Sequence, residues 1–129
     1  MTDATAPRVL IVEDEPLIAL NLEELMVDAG FLVSGIAGRL AKALDMIKLD
    51  VCDVALVDAN LAGVSSGPAG AALAALGVPY VVLSGYSSAQ KNGMFPDAVL
   101  FMQKPFDPDL LIEELRKLTA RPLAAEANR

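Results

Sequence analysis

The sequence predicts an α/β fold in which five parallel strands alternate with five helices in a doubly wound sheet. Short apolar runs recur along the 129 residues, and the stretches between them have helical periodicity. The composition is 54% hydrophobic and only 21% charged, which is typical of strands that helices cover on both faces. A chain of this length forms one domain, which we assign to residues 8–119, and we expect residues 1–7 and 120–129 to be flexible termini.

The first half of the chain contains two strands and two helices. Residues 9–12 form the first strand, and Pro16 opens a helix that ends at Gly30. The stripe of this helix that is expected to face the sheet consists of Leu17, Leu20, Leu22, Leu25 and Met26. Residues 31–37 form the second strand. The second helix is expected to bury Leu40, Ala43, Leu44 and Ile47.

The third strand covers residues 54–57 and ends in an acid. Cys52, just before this strand, is expected to be a small buried apolar residue. After Asp58 comes a loop rich in glycine and serine. Ser66 is expected to cap the third helix, and Gly77 follows the end of that helix.

The last two strands occupy residues 78–84 and 98–102. The segment between them has room for only one or two turns of a fourth helix before a glycine and a proline interrupt it. A fifth helix completes the fold. Its residues that are expected to face the sheet are Leu110, Leu111, Leu115 and Leu118.

The charge and the apolar pattern exclude several classes of protein. With 17 acids, 10 bases and a formal charge of −7, the chain has no basic cluster that would neutralise nucleic-acid phosphates. No apolar stretch reaches the roughly 20 residues of a membrane span, and the N-terminus lacks the positive lead of a signal peptide. The single cysteine suits a reducing compartment. We therefore expect a cytoplasmic protein without nucleic-acid or membrane partners.

Polar residues follow four of the predicted strands at the point where each strand ends. Since the carboxyl ends of parallel strands lie at one edge of a sheet, these residues are expected to converge there. They are Glu13, Asp14, Asp58, Ser84 and Lys104. Two carboxylates about 4 Å apart repel by about 4 kcal/mol at an effective dielectric of about 20, so three of them require a counter-charge. Mg²⁺ is the expected cofactor, with Mn²⁺ as the alternative ion.

Asp58 is the natural nucleophile of this set because it stands alone at the end of its strand. Lys104 would place a cation on one phosphoryl oxygen, and Ser84 would donate a hydroxyl hydrogen bond to another. Taken singly, each residue has a plainer reading: acids after a strand can complement a helix start, and the others can be loop residues. Together, at four strand ends, they favour a magnesium-dependent phosphoryl site.

The set Glu13, Asp14, Asp58, Ser84 and Lys104-Pro105 resembles the receiver domain of two-component response regulators, over about residues 8–119. The resemblance implies a flavodoxin-like strand order of 2-1-3-4-5. It also implies that Asp58 is the phosphoacceptor, that Glu13 and Asp14 bind the metal ion together with Asp58 and the backbone carbonyl of Asn60, and that Ser84 and Lys104 contact the phosphoryl group. The Lys104-Pro105 peptide bond is expected to be cis by the same resemblance.

The fourth strand narrows the resemblance to a subset of the family. Residues 79–86 read Pro-Tyr-Val-Val-Leu-Ser-Gly-Tyr and look like the Pro-Phe-x-Phe-Ala-Thr-Gly-Tyr signature of certain single-domain receivers. The loop after Asp58 departs from the usual family pattern because it lacks a proline. The aromatic switch residue of the family corresponds to Phe101, and Tyr86, behind Ser84, is the alternative switch.

The resemblance implies a stand-alone response regulator that is a phosphoacceptor and not a turnover enzyme. Its donor would be a histidine kinase or a phosphotransfer protein, its downstream protein partner is open, and it would be a monomer or a weak dimer. Phosphorylation would change the partner-binding face. Two alternatives remain: a receiver fold that binds partners without phosphorylation, and an aspartate-nucleophile phosphatase. The phosphatase is disfavoured because the second acid it normally needs is replaced by Asn60.

Overall fold

The computed structural model of the protein describes residues 6–49, 52–85 and 94–120. The strands are β1 (Arg8–Val12), β2 (Leu32–Ala37), β3 (Val54–Asp58), β4 (Asn60–Leu61), β5 (Val64–Ser65), β6 (Tyr80–Ser84) and β7 (Leu100–Gln103). The helices are α1 (Pro16–Asp28), α2 (Leu40–Leu49), α3 (Gly67–Ala75) and α4 (Pro108–Thr119).

Five of the strands form one sheet in the order β2-β1-β3-β6-β7, and all of its neighbours are parallel. If the five strands are counted along the chain, this is the order 2-1-3-4-5, so the predicted fold class is confirmed. β2 and β3 lie on opposite sides of β1 within the sheet, so the strand order reverses its direction at β1. Such a reversal opens a crevice at the carboxyl ends of the strands, where α/β proteins of this type bind ligands.

The loop after Asp58 is more regular than the sequence predicts. It forms a small antiparallel hairpin in which Asn60 pairs with Ser65 and Leu61 pairs with Val64. The turn between them is tight, and both of its central residues have left-handed backbones, with φ of 52° at Ala62 and 91° at Gly63. The predicted fourth helix falls on residues 86–93, which lie outside the described residues.

The hydrophobic core lies on both faces of the sheet. One face is covered by residues of α2 and α3, namely Ala43, Ile47, Ala69 and Leu73, with Cys52 buried among them as predicted. The other face is covered by residues of α1 and α4, namely Leu22, Met26, Leu111 and Leu115. Helices on both faces explain why β3 and β6 are buried along their whole length and apolar up to their last residues, Asp58 and Ser84.

The first helix buries only part of the stripe that the sequence predicts to face the sheet. Leu17 and Leu20 were assigned to the core, but they are 74% and 48% exposed. The buried residues are Ala19, Leu22 and Met26. Since α1 carries apolar side chains on several sides, its periodicity does not identify the inward face, and that part of the prediction is wrong.

The last helix is correct in position and wrong at one residue. Leu111 and Leu115 are buried and Leu118 is half-buried, whereas Leu110 is 44% exposed. Neighbouring residues on a helix point about 100° apart, so Leu110 and Leu111 cannot both face the sheet. The helix begins at a capping acid, because the Asp107 side chain accepts a hydrogen bond from the N–H of Asp109.

Ser66 occupies the N-cap position of α3, but its side chain makes no hydrogen bond to the N–H groups of that helix. The predicted cap is therefore wrong. The Ser66 hydroxyl instead donates to the backbone carbonyl oxygen of Asp58. The other end of the helix agrees with the prediction, since Gly77 follows it with a φ of 74°.

Three aromatic rings pack in series beneath the last two strands of the sheet. Phe95 lies between Tyr80 and Phe101, at centroid distances of 6.5 and 6.4 Å, and both contacts are edge-to-face. Phe95 is only 1% exposed. The outer ring, Tyr80, lies so close to α3 that a Cβ added at Gly70 would be 2.7 Å from its hydroxyl oxygen. Tyr80 and Phe95 thus join α3 to the segment that leads into β7.

Candidate functional site

The five residues singled out at strand ends lie at one edge of the sheet. Glu13 and Asp14 follow β1, Asp58 ends β3, Ser84 ends β6 and Lys104 follows β7. The strand registers align these ends: Val12 pairs with Val57, Asp58 with Leu83, and Ser84 with Gln103. Residues that are up to 91 positions apart in the chain are therefore brought together.

Three carboxylates form the centre of this edge. Each of Glu13, Asp14 and Asp58 offers one oxygen atom, and these oxygens all lie within 4.8 Å of one another. Glu13 is 2% exposed and Asp58 is 8% exposed, while Asp14 is half-buried. Acids this close and this poorly solvated are costly unless a cation offsets their charge.

Lys104 supplies one such cation. Its Nζ lies 3.1 Å from Oε1 of Glu13 and 3.2 Å from Oδ2 of Asp58, so a single ammonium group contacts carboxylates from two strands. Burial alone would lower the pKa of Lys104, but the hydrogen bonds and charges of these two acids outweigh it and raise the pKa above its usual value. The lysine therefore stays charged in the site.

Glu13 is the most deeply buried acid of the three. Burial raises the pKa of its carboxyl, although the N–H of Glu15 and the ammonium of Lys104 both oppose the shift, and the charge of Asp58 adds to it. The N–H of Glu15 donates to Oε2 of Glu13 at 3.1 Å. Three clustered carboxyl groups thus share one ammonium group, which favours the uptake of a further cation.

Asp58 is held from several sides. Its Oδ1 accepts a hydrogen bond of 3.3 Å from the N–H of Asn60, and its Oδ2 faces Lys104. The side chain of Asn60 is occupied in the hairpin turn, where its Oδ1 accepts from the N–H of Gly63 at 2.7 Å. The side-chain oxygen of Asn60 is thus engaged within the hairpin, and the metal-binding role of its backbone carbonyl stays a prediction.

Ser84 is buried at the end of the strand next to Asp58. Its backbone carbonyl accepts a hydrogen bond of 2.7 Å from the N–H of Lys104, which fixes the lysine backbone to β6. The following peptide bond, Lys104-Pro105, is cis. The structure therefore places the three residues Asp58, Ser84 and Lys104 on adjacent strands at the same edge.

Of the two candidate switch residues, Phe101 lies within the described part of the chain and Tyr86 does not. Phe101 is half-buried in β7 and packs against Phe95. Tyr86 lies outside the described residues.

Two residues near the site make contacts that the sequence does not predict. Ser66 bonds to the backbone of Asp58, and Phe95 supports the candidate switch at Phe101. Ser66 carries no local signal of that contact, because its position before a helix is equally typical of a cap. Phe95 lies in a short segment between Gly93 and Pro96, and an apolar ring in such a segment is the one available indication in the sequence.

The donor set suits a hard divalent cation. Carboxylate oxygens, a backbone carbonyl and room for water are what Mg²⁺ prefers, and the set contains no soft ligand.

Within the ranges that the structure describes, no helix is both long and apolar enough to cross a membrane.

Comparison with known proteins gives a consistent result. A family model described as the response regulator receiver domain matches residues 9–116. The chain is 33% identical over 106 residues to the phyllosphere-induced regulator PhyR of Methylorubrum extorquens, an alignment that covers 80% of this chain and 40% of the relative. It is 29% identical over 123 residues to the transcriptional regulatory protein PdtaR of Mycobacterium tuberculosis, covering 92% of this chain and 60% of that protein.

A solved structure agrees with these sequence matches. The receiver domain of the PhyR response regulator from Erythrobacter litoralis superposes with a TM-score of 0.77 at 28% identity, over 88% of this chain and 89% of that one. The chain spans about half the length of the curated relatives it matches, since it covers 40% of one and 60% of the other.

Proposed function

This chain belongs to the response regulator receiver domain family, and from that premise we propose that Asp58 accepts a phosphoryl group in a magnesium-dependent reaction. The donor is a histidine kinase or a phosphotransfer protein, and the phosphorylated domain binds a downstream protein differently from the free one. In this proposal the metal ion is held by Glu13, Asp14, Asp58 and the backbone carbonyl of Asn60.

The observation that carries the proposal is the environment of the Asp58 carboxylate. Both of its oxygens are held, one by the N–H of Asn60 and the other by the ammonium of Lys104, while the carboxylates of Glu13 and Asp14 lie beside it. An acid that merely stabilised the fold would not need two further acids at this distance. An oriented nucleophile next to a cation site does need them.

The proposed transfer needs only groups at this edge. An oxygen of Asp58 donates an electron pair to the phosphorus atom, and the bond from phosphorus to the leaving atom of the donor breaks, so the donor departs with that electron pair; the leaving atom is the imidazole nitrogen of a phosphohistidine, or the acyl oxygen of a small acyl phosphate. When bound, Mg²⁺ offsets the charge of the phosphoryl oxygens. In this proposal the Lys104 ammonium, now 3.2 Å from Asp58 Oδ2, moves to a phosphoryl oxygen, and the Ser84 hydroxyl donates to another.

The output of the domain is proposed to run through the last strand. New acceptor oxygens on Asp58 would draw the Ser84 hydroxyl and shift the backbone behind it. Phe101, a half-buried ring in β7, would change its orientation in response. Tyr86 is the alternative switch residue. A bias of a few kcal/mol between two conformations is sufficient to change partner binding.

Phosphoryl uptake can be measured directly. Incubating the protein with a small acyl phosphate and Mg²⁺ is expected to add the mass of one phosphoryl group, as read by intact-mass spectrometry, and a chelator is expected to prevent it. Hydroxylamine should remove the adduct, because an acyl phosphate on a carboxylate reacts with this nucleophile and a phosphate ester on serine does not. Absence of any adduct would instead support the phosphorylation-independent binding module.

The metal site gives a second prediction, which does not depend on phosphorylation. Mg²⁺ at 100 times its Kd is expected to raise the free energy of unfolding by about 2.7 kcal/mol, since it binds only the folded chain. Asp14→Asn is expected to remove most of this gain, because it withdraws one of three clustered carboxylates. Urea denaturation with and without Mg²⁺ measures the effect.

Glu15→Gln provides the matched control for that prediction. Glu15 belongs to the same acidic loop and is exposed, but it is not one of the three clustered acids. This variant should keep the stabilisation by Mg²⁺. A full Mg²⁺ effect in Asp14→Asn would show that Asp14 is not a ligand.

A further inference from the structure

We propose that Ser66 is a positioning residue for the phosphoacceptor Asp58, a role that rests on the proposed function. Its side chain is fully buried, at 0% exposure. Its hydroxyl donates to the backbone carbonyl of Asp58, eight residues earlier, and not to the helix that Ser66 precedes. A buried hydroxyl turned away from an available cap and onto the phosphoacceptor points to a function at the site.

The backbone of Ser66 holds the next residue of the loop. Its N–H donates to the carbonyl of Ala59 at 3.2 Å, and the N–H of Ala59 donates to Leu83 of β6 at 2.9 Å. The two consecutive carbonyl groups of Asp58 and Ala59 are thus both bonded to Ser66. The peptide between the phosphoacceptor and Asn60 has little freedom to rotate.

Ser66 also fixes this peptide to a rigid element. Its own carbonyl accepts hydrogen bonds from the N–H groups of Ala69 and Gly70, at 2.9 and 3.2 Å, in the first turn of α3. The hairpin β4-β5 begins just after Asp58 and ends just before Ser66. The hydrogen bonds from Ser66 to the carbonyls of Asp58 and Ala59 therefore close the base of the hairpin. Asn60, whose N–H orients the Asp58 carboxylate, lies inside this closed loop.

The Ser66 hydroxyl therefore fixes the orientation of the Asp58 carboxylate, which is the nucleophile of the proposed reaction. Without it, the Asp58 carbonyl loses a partner and the 58–60 peptides are free to tilt, which moves the Asp58 carboxylate and the Asn60 carbonyl together. Displacements of about 1 Å at a reacting group can cost on the order of 100-fold in rate. Ser66→Ala removes one hydrogen bond and should displace the Asp58 carboxylate by less than this distance. We therefore expect it to lower the rate constant of phosphoryl uptake by about tenfold.

The test compares four proteins: wild type, Ser66→Ala, Ser66→Cys and Ser65→Ala. Each is incubated with a small acyl phosphate at saturating Mg²⁺, at a temperature where urea denaturation shows it to be fully folded, and uptake is followed by intact mass against donor concentration. Ser65→Ala is the matched control, because the Ser65 hydroxyl contacts Gly67 and Met94 but not Asp58. Ser66→Cys fills the site with a somewhat larger side chain that is a much weaker donor, and so separates loss of the hydrogen bond from the creation of a cavity.

A positioning role predicts a specific split of the kinetic constants. Both Ser66 variants should lower the rate at saturating donor and leave the half-saturating donor concentration unchanged, because the Ser66 hydroxyl bonds to the phosphoacceptor and has no part in donor binding in this proposal. Ser65→Ala should behave as wild type. If folded Ser66→Cys and Ser66→Ala react at the wild-type rate while losing stability, Ser66 is purely structural and the inference is overturned. A wild type that takes up no phosphoryl group would overturn the proposed function itself, which is a separate outcome.

Discussion

Asp58→Asn is expected to take up no phosphoryl group from an acyl phosphate under conditions in which the wild type is modified. The amide is a far weaker nucleophile than the carboxylate, so the acceptor is lost. The fold is expected to remain, because the amide oxygen can still accept from the N–H of Asn60 and one of three repelling charges is removed. Intact mass after incubation with the donor and Mg²⁺ measures the result.

The matched control is Asp53→Asn at the opposite end of the same strand. Asp53 accepts a hydrogen bond of 2.7 Å from the N–H of Arg8, far from the carboxyl edge, and the amide can keep that bond. This variant carries the same charge change and should be phosphorylated as wild type. An equal adduct on Asp58→Asn and on the wild type would assign the phosphoryl group to another residue.

Phe95→Ala is expected to lower the free energy of unfolding by about 3–5 kcal/mol, the usual cost of deleting a buried aromatic side chain. The ring is 1% exposed and lies between Tyr80 and Phe101, so its removal leaves a cavity and ends two edge-to-face contacts. A loss of this size is a large fraction of the stability of a small domain. Urea denaturation with a two-state fit measures it.

Leu17→Ala is the control for that prediction. Leu17 is a large apolar residue like Phe95, but it is 74% exposed, so its truncation should change stability by no more than about 0.5 kcal/mol. A loss in Phe95→Ala as small as the one expected for Leu17→Ala would contradict the burial of Phe95. A large loss in Leu17→Ala alone would restore the face of α1 that the sequence predicts.

The sequence predicts which residues lie at the carboxyl edge of the sheet because each strand end is recognisable from a few neighbouring residues. A strand that is apolar throughout and ends in a charged or hydroxyl residue can be read from a few neighbouring positions, as with Val54–Asp58 and Tyr80–Ser84. Parallel pairing then brings those ends together without further information. For this reason the sequence alone predicts that Glu13, Asp58 and Lys104 lie together.

The features that the sequence does not predict depend on contacts between distant residues. The inward face of α1 is decided by how the helix lies on the sheet, and leucines on several sides give no preference for Ala19 over Leu20. The contact from Ser66 to Asp58 requires the hairpin that the turn at Ala62 and Gly63 creates. Neither is encoded in a periodicity.

The close approach of Gly70 to Tyr80 limits which sequences can share this fold in evolution. A side chain at residue 70 would meet the Tyr80 hydroxyl at 2.7 Å and its ring at 2.9 Å, so the two positions are not free to vary independently. Among homologues, a larger residue at position 70 should occur only with a smaller one at position 80. Substitution at one site alone would then be a step that selection removes, and the pair should change together or not at all.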